Sequence, residues 1–86
     1  MVIRIRKSEI DRVRALEVAY HHVEEGDTDP YRIEATCEHL RELEKKIPEC
    51  AEELRALANY IRMHDWDRAE QTILRIVFYR CLNDIP

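Results

Sequence analysis

Four histidines, three cysteines and eighteen Asp or Glu residues are the groups with which this 86-residue chain can do chemistry. Their spacing is the first thing to weigh. His22 and Glu25, like His39 and Glu42, stand three residues apart, so on a helix each pair shares a face. Metal-binding helical bundles use the reverse order, Glu-x-x-His, together with further inward glutamates. The neighbours here, His21 and Glu24 among them, are surface-like, so an exposed polar face is the expected reading and no metal is expected. Cys37 and His39 lack the paired spacing of a zinc site. His64, Asp65 and Asp67 form a corner that helix capping explains without an ion.

A nucleophilic cysteine needs an activating histidine and a third group to orient it. Neither Cys37, Cys50 nor Cys81 sits in a local signature of that kind. The chain also has no glycine-rich phosphate loop and no G-x-S-x-G elbow. No catalytic residue and no cofactor are expected, and the protein is read as a non-enzyme. Three cysteines at wide spacing fit reduced thiols in a core, hence a cytoplasmic setting.

The elements that hold these residues are helical. Composition is 45% hydrophobic and 37% charged, with one Gly and three Pro. Strands and tight turns need more glycine than this. The expectation is an all-α single domain over residues 1–86, with residues 1–7, MVIRIRK, as a basic arm or a short edge strand. A chain of this length buries only about 60–65% of its unfolded surface, so association with a second copy is a natural supplement. No apolar run is long enough for a transmembrane helix, for which about 18 residues are needed, and the start lacks a signal-peptide core.

Ser8 is the expected N-cap of the first helix, with Ile10, Val13, Leu16, Tyr20 and Val23 on its apolar face. Gly26 ends it, able to take a positive φ. Asp29 caps the second helix and Pro30 opens it. Pro48 is ambiguous. It lacks an N–H and its ring clashes with the preceding turn. Yet Leu40, Leu43, Ile47, Cys50, Leu54, Leu57 and Ile61 keep a 3-4-3-4 rhythm straight across it. Four helical segments in a bundle, around a kink or tight turn at 47–48, are favoured. Three helices, the middle one long and kinked at Pro48 and able to pair with a second copy, remain the alternative.

The last helix is expected from Trp66 to about Asn83, capped by Asp65. No glycine marks its corner, and Asp65 is expected to stand in for one through its side chain. Its second half is apolar nearly all round, so it is either the centre of the bundle or half of a homodimer interface. Leu74, Val77, Phe78, Cys81 and Leu82 are the interface residues on that reading.

Charge is uneven along the chain. Residues 1–16 carry five basic and two acidic side chains, residues 17–53 four and twelve, and residues 54–86 five and four. The acidic middle repels phosphates and suits a partner protein with a basic surface. Glu38, Glu42, Glu49, Glu52 and Glu53 are the candidate partner-binding charges, with Trp66 as an aromatic anchor. A solvated helix face is the plainer explanation of the same run. Direct nucleic-acid binding is disfavoured: a recognition helix should begin with Arg, Lys, Asn or Gln, and this one begins WDRAEQ. The arm residues Arg4, Arg6, Lys7, Arg12 and Arg14 are the better candidate for that role.

Two resemblances concern the segment ALANYIRMHDWDRAEQTIL. It looks loosely like a tetratricopeptide hairpin, one residue short at the corner and without its glycine, which would imply a helical scaffold or adaptor. More sharply, Leu57-Ala58-Asn59-Tyr60-Ile61-Arg62, followed by Ala69-Glu70, Ile76 and Arg80, resembles a segment of a type I-E anti-CRISPR protein. The corner departs from it, with Asp65-Trp66 where a glycine-containing turn is expected. That resemblance implies a small helical, dimeric, phage-borne inhibitor acting in the host cytoplasm. It would bind the helicase–nuclease of the interference pathway and carry no catalysis of its own.

Overall fold

Helix boundaries follow from local signals at nearly every corner of this chain. The computed structural model describes the backbone of residues 7–80 and the side chains of residues 16–77. Helix α1 spans Lys7–Glu25, α2 Pro30–Lys46, α3 Ala51–Arg62 and α4 Trp66–Leu74. A 3-10 turn, Pro48–Cys50, leads into α3, and a π-helical segment, Arg75–Arg80, continues α4. The architecture is all-α with no strand among the described residues. The MVIRIR part of the suggested arm or strand lies outside them. Lys7 already belongs to α1, so Ser8 lies within the helix rather than before it.

Gly26 ends α1 with φ +61. Its N–H reaches the carbonyls of His22 and Val23, both at 3.1 Å. Asp29 then caps α2, accepting from the Tyr31 N–H at 3.0 Å, with Pro30 as first helical residue. Both features are as the sequence predicts. Each rests on one residue whose chemistry suits a single backbone position.

Pro48 ends a helix rather than kinking one. Ile47, at φ −128 and ψ 70, leaves the helical region just before it. The residue preceding a proline is pushed out of that region by the ring. The chain then folds back. Cys37 lies against Ala58, Glu44 against Arg55 and Glu34 against Arg62, so α2 and α3 form an antiparallel hairpin. This explains the unbroken 3-4-3-4 seam. Its two halves face each other across the hairpin, and Leu40, Leu43, Ile47, Cys50, Leu54, Leu57 and Ile61 are all buried together.

The remaining helices close the core from the other side. α1 contributes Leu16, Ala19 and Val23, and α4 contributes Ala69 and Ile73. Ala19 and Ala69 have no exposed surface, and α1 and α4 pack directly on one another. Tyr20, expected on the inner face of α1, is instead 39% exposed. The small Ala19 takes the inner position because it permits close helix approach.

The described part of the last helix differs from expectation. α4 is a regular helix only to Leu74, after which the ladder widens. Thr72 donates its hydroxyl to the Arg68 carbonyl at 2.7 Å, a side-chain bond that competes with the helical ladder one turn before the change. Nor is the segment buried all round. Ile73 and Ile76 face the core, while Leu74 is 40% exposed beside exposed Arg75. Val77 is half-buried against the core. Of the other proposed interface residues, the Phe78 side chain, Cys81 and Leu82 lie outside the described residues.

Candidate functional site

Two surfaces hold most of the polar residues singled out by the sequence, the junction of α1 with the α3–α4 corner and the acidic side of the hairpin. The groove between α2 and α3 is a third, and it contains Cys37.

The junction is built on His22, which is buried. Its Nε2 lies 2.9 Å from the Asp27 carbonyl and its Nδ1 2.8 Å from the Thr36 hydroxyl. A carbonyl can only accept, so Nε2 carries the proton. In the neutral ring Nδ1 then accepts from Thr36. His22 therefore ties the end of α1 to the α1–α2 link and to the middle of α2. Both its nitrogens are engaged, which leaves neither for an ion. Asp27 continues the tie, accepting from the Asp29 N–H at 2.9 Å and from Arg32 at 3.1 Å. The Asp29 amide, then the Arg32 guanidinium, hold its carboxyl below the usual aspartate range.

Trp66 covers this junction. Its ring centre stands 5.9 Å from that of His22 and 5.6 Å from that of His64, and the His64 ring is stacked, at 11°. A Cβ on Gly26 would meet the indole nitrogen at 3.5 Å. Trp66, offered as a partner anchor, is thus half-buried and partly engaged inside the fold.

The corner itself is a Schellman ending. The His64 N–H reaches the Ile61 carbonyl at 3.1 Å, and the Asp65 N–H reaches the Tyr60 carbonyl at 2.9 Å. That pattern requires a left-handed residue between the helices. His64, not a glycine, supplies it with φ +59. The expectation that Asp65 replaces the glycine is corrected here. Asp65 caps α4, accepting from the Arg68 N–H at 3.4 Å, and His64 carries the backbone twist. On α4 itself, Asp67, Glu70 and Gln71 are exposed, which puts two acids where a recognition helix would meet phosphates.

On the acidic side, Glu38, Glu42, Glu49 and Glu52 are exposed and Glu53 is half-buried. Glu38 and Glu42 lie one turn apart on α2, and Glu49 and Glu52 at the closed end of the hairpin. Glu42 makes a 3.7 Å ion pair with Lys45. His21 lies within 3.6 Å of Glu17 and 3.9 Å of Glu24, all well exposed. Among the described residues no three His, Cys, Asp or Glu converge as a ligand set for a metal ion.

The groove between α2 and α3 has a volume of about 290 Å³. Leu40, Leu54, Ala58 and Cys37 form its base, and Arg41, Arg55 and Arg62 stand along it. Cys37 is buried, and its thiol faces the Ala58 carbonyl at 3.8 Å. Burial pushes this thiol up from its ordinary value, and the nearby Arg62 and Arg41 only partly offset that. Cys50 is also a buried thiol, outside any disulfide like Cys37. The arginine groove has no counterpart in the sequence reading. Its members come from two helices, and only the fold-back at Pro48 brings them together.

No helix of the described residues is long and apolar enough to cross a membrane. No protein-family model, curated protein or solved structure matches this chain.

Proposed function

We propose that this protein acts by binding another protein through the acidic side of its α2–α3 hairpin. The observation that carries the reading is the exposure of Glu38, Glu42, Glu49 and Glu52 on a rigid hairpin whose own core is complete. Charges held on a packed scaffold are preorganised for a basic surface, and they speed and orient docking. Glu53 is half-buried and plays the smaller part. Trp66 takes part through the exposed portion of its ring.

Within this reading the resemblance over residues 57–80 supplies the first target to test: a component of a CRISPR interference complex, with the protein as its inhibitor in the cytoplasm of the host. A homodimer joined through Leu74, Val77, Phe78, Cys81 and Leu82 belongs to the same reading. A half-exposed Leu74 supports it. A helical adaptor is the second reading, favoured by the α3–α4 hairpin that resembles one tetratricopeptide unit.

The test is capture from a lysate of a bacterium with an active type I-E system, using the tagged protein and a Glu38→Lys, Glu42→Lys, Glu49→Lys, Glu52→Lys variant. The reading predicts that an interference component is retained by the parent and lost with the variant. Equal retention by both contradicts the acidic surface. Retention of unrelated helical assemblies instead favours the adaptor.

A further inference from the structure

The α2–α3 groove carries charge of the opposite sign to the surface around it. Residues 17–53 hold twelve acidic and four basic side chains. Against that background Arg41, Arg55 and Arg62 line one groove with an apolar base. Arg55 and Arg62 lie seven residues apart on α3, two helical turns or about 10 Å along its axis. Arg41 faces them from α2. All three are exposed.

The present partners of this row differ in exposure: Glu34 is exposed and Glu44 is half-buried. Arg55 meets Glu44 at 3.2 Å and Arg62 meets Glu34 at 3.8 Å. The exposed Arg62–Glu34 pair contributes little and exchanges easily for another carboxylate, while Arg55, itself well exposed, can accept a second carboxylate beside Glu44. Guanidinium groups grip carboxylates in a two-pronged geometry that lysine cannot reproduce. The base of Leu40, Leu54 and Ala58 is apolar, with a little exposed surface left at Ala58.

We propose that this groove is a docking site for an acidic amphipathic helix of a partner protein. Carboxylates two turns apart on that helix meet Arg55 and Arg62, one between them meets Arg41, and its small apolar residues lie on the groove base. This is helix-in-groove recognition with arginine clamps. Glu34, Glu44 and the acidic flanks oppose any anion. A nucleic acid, with a charge at every backbone unit, meets more of that repulsion than a helix with three placed carboxylates, so it is the poorer occupant. The site uses none of the residues of the acidic face, so the two proposals stand or fall separately.

The probe is a fluorescein-labelled amphipathic helical peptide of glutamate, alanine and leucine, with glutamates at the first, fourth and eighth positions of its repeat. Its anisotropy is followed with the full-length protein at low salt. The expected result is saturable binding that weakens as salt rises. Arg55→Ala with Arg62→Ala weakens it by about tenfold or more, Arg55→Lys with Arg62→Lys by an intermediate factor, and Arg75→Ala by less than about twofold. Arg41→Ala alone weakens it too, and covers the case in which the double variant loses its helical circular dichroism. The four-glutamate reversal variant binds the peptide at least as well as the parent. No binding at low salt overturns the proposal, as does binding that survives loss of the arginines. A single-stranded DNA of equal charge that displaces the peptide more effectively than unlabelled peptide also overturns it.

Discussion

His64 is held in the left-handed region that costs most L-residues about 1–2 kcal/mol. Stacking on Trp66 returns part of this, and such ring pairs are worth about 0.5–1.5 kcal/mol. His64→Gly should therefore change stability by less than about 1 kcal/mol in urea unfolding. His64→Val, with a branched Cβ and no ring to stack, should destabilise by about 2 kcal/mol. Gly26→Ala should destabilise by about 1–2 kcal/mol, since an L-residue there meets the φ +61 strain, while its Cβ would make only ordinary contact with the Trp66 ring. Thr36→Val leaves the buried Nδ1 of His22 without its donor and should cost about 1–3 kcal/mol. Asp27 adds a pH dependence. Its native pKa lies below the ordinary 3.8, so the ionised form favours folding. That stabilisation is present above the ordinary value and is lost as acid carries the pH down through the lower native one. Asp27→Asn should flatten the acid side of the stability profile below pH about 4.

The same residues show what a sequence can and cannot convey. Gly26, Asp29 and Pro30 are legible because each signals one backbone position. His64 is not, because histidine, though enriched at positive φ, is far more often found elsewhere. The demand comes from the two hydrogen bonds that close the corner between Tyr60, Ile61 and Asp65. His22 reads as a surface residue or a ligand because the hydroxyl that explains it lies fourteen residues away on another helix.

Between elements, Pro48 decides the topology. The hydrophobic rhythm of residues 40–61 shows which side chains are buried, but it is the same for one long helix as for a hairpin whose legs face each other. The non-helical backbone at Ile47 and the return pairs Glu44–Arg55 and Glu34–Arg62 settle it. The arginine groove was illegible for the same reason. The caps of α2 and α4 should matter equally: Asp29→Ala and Asp65→Ala should each destabilise by about 1 kcal/mol, read as a lower urea midpoint at unchanged slope. Leu57, with no exposed surface at the centre of the hairpin, should cost about 2–5 kcal/mol when cut to Ala.

For the molecule as a whole, burial protects Cys37 and Cys50. Cys37 is buried with its pKa raised, so its thiolate is scarce in the native state. Labelling of Cys37 by a disulfide reagent should track unfolding and be much slower than that of a free thiol. With one face acidic and one groove lined by arginine, the protein presents two distinct chemistries on a single hairpin. The acidic residues carry the functional reading. Its most direct test is the affinity of the captured partner for the parent and for the Glu38→Lys, Glu42→Lys, Glu49→Lys, Glu52→Lys variant, measured at two salt concentrations with circular dichroism as a check on fold. The account predicts a loss of about tenfold or more in the variant, largest at low salt. Equal affinity of a folded variant would contradict it.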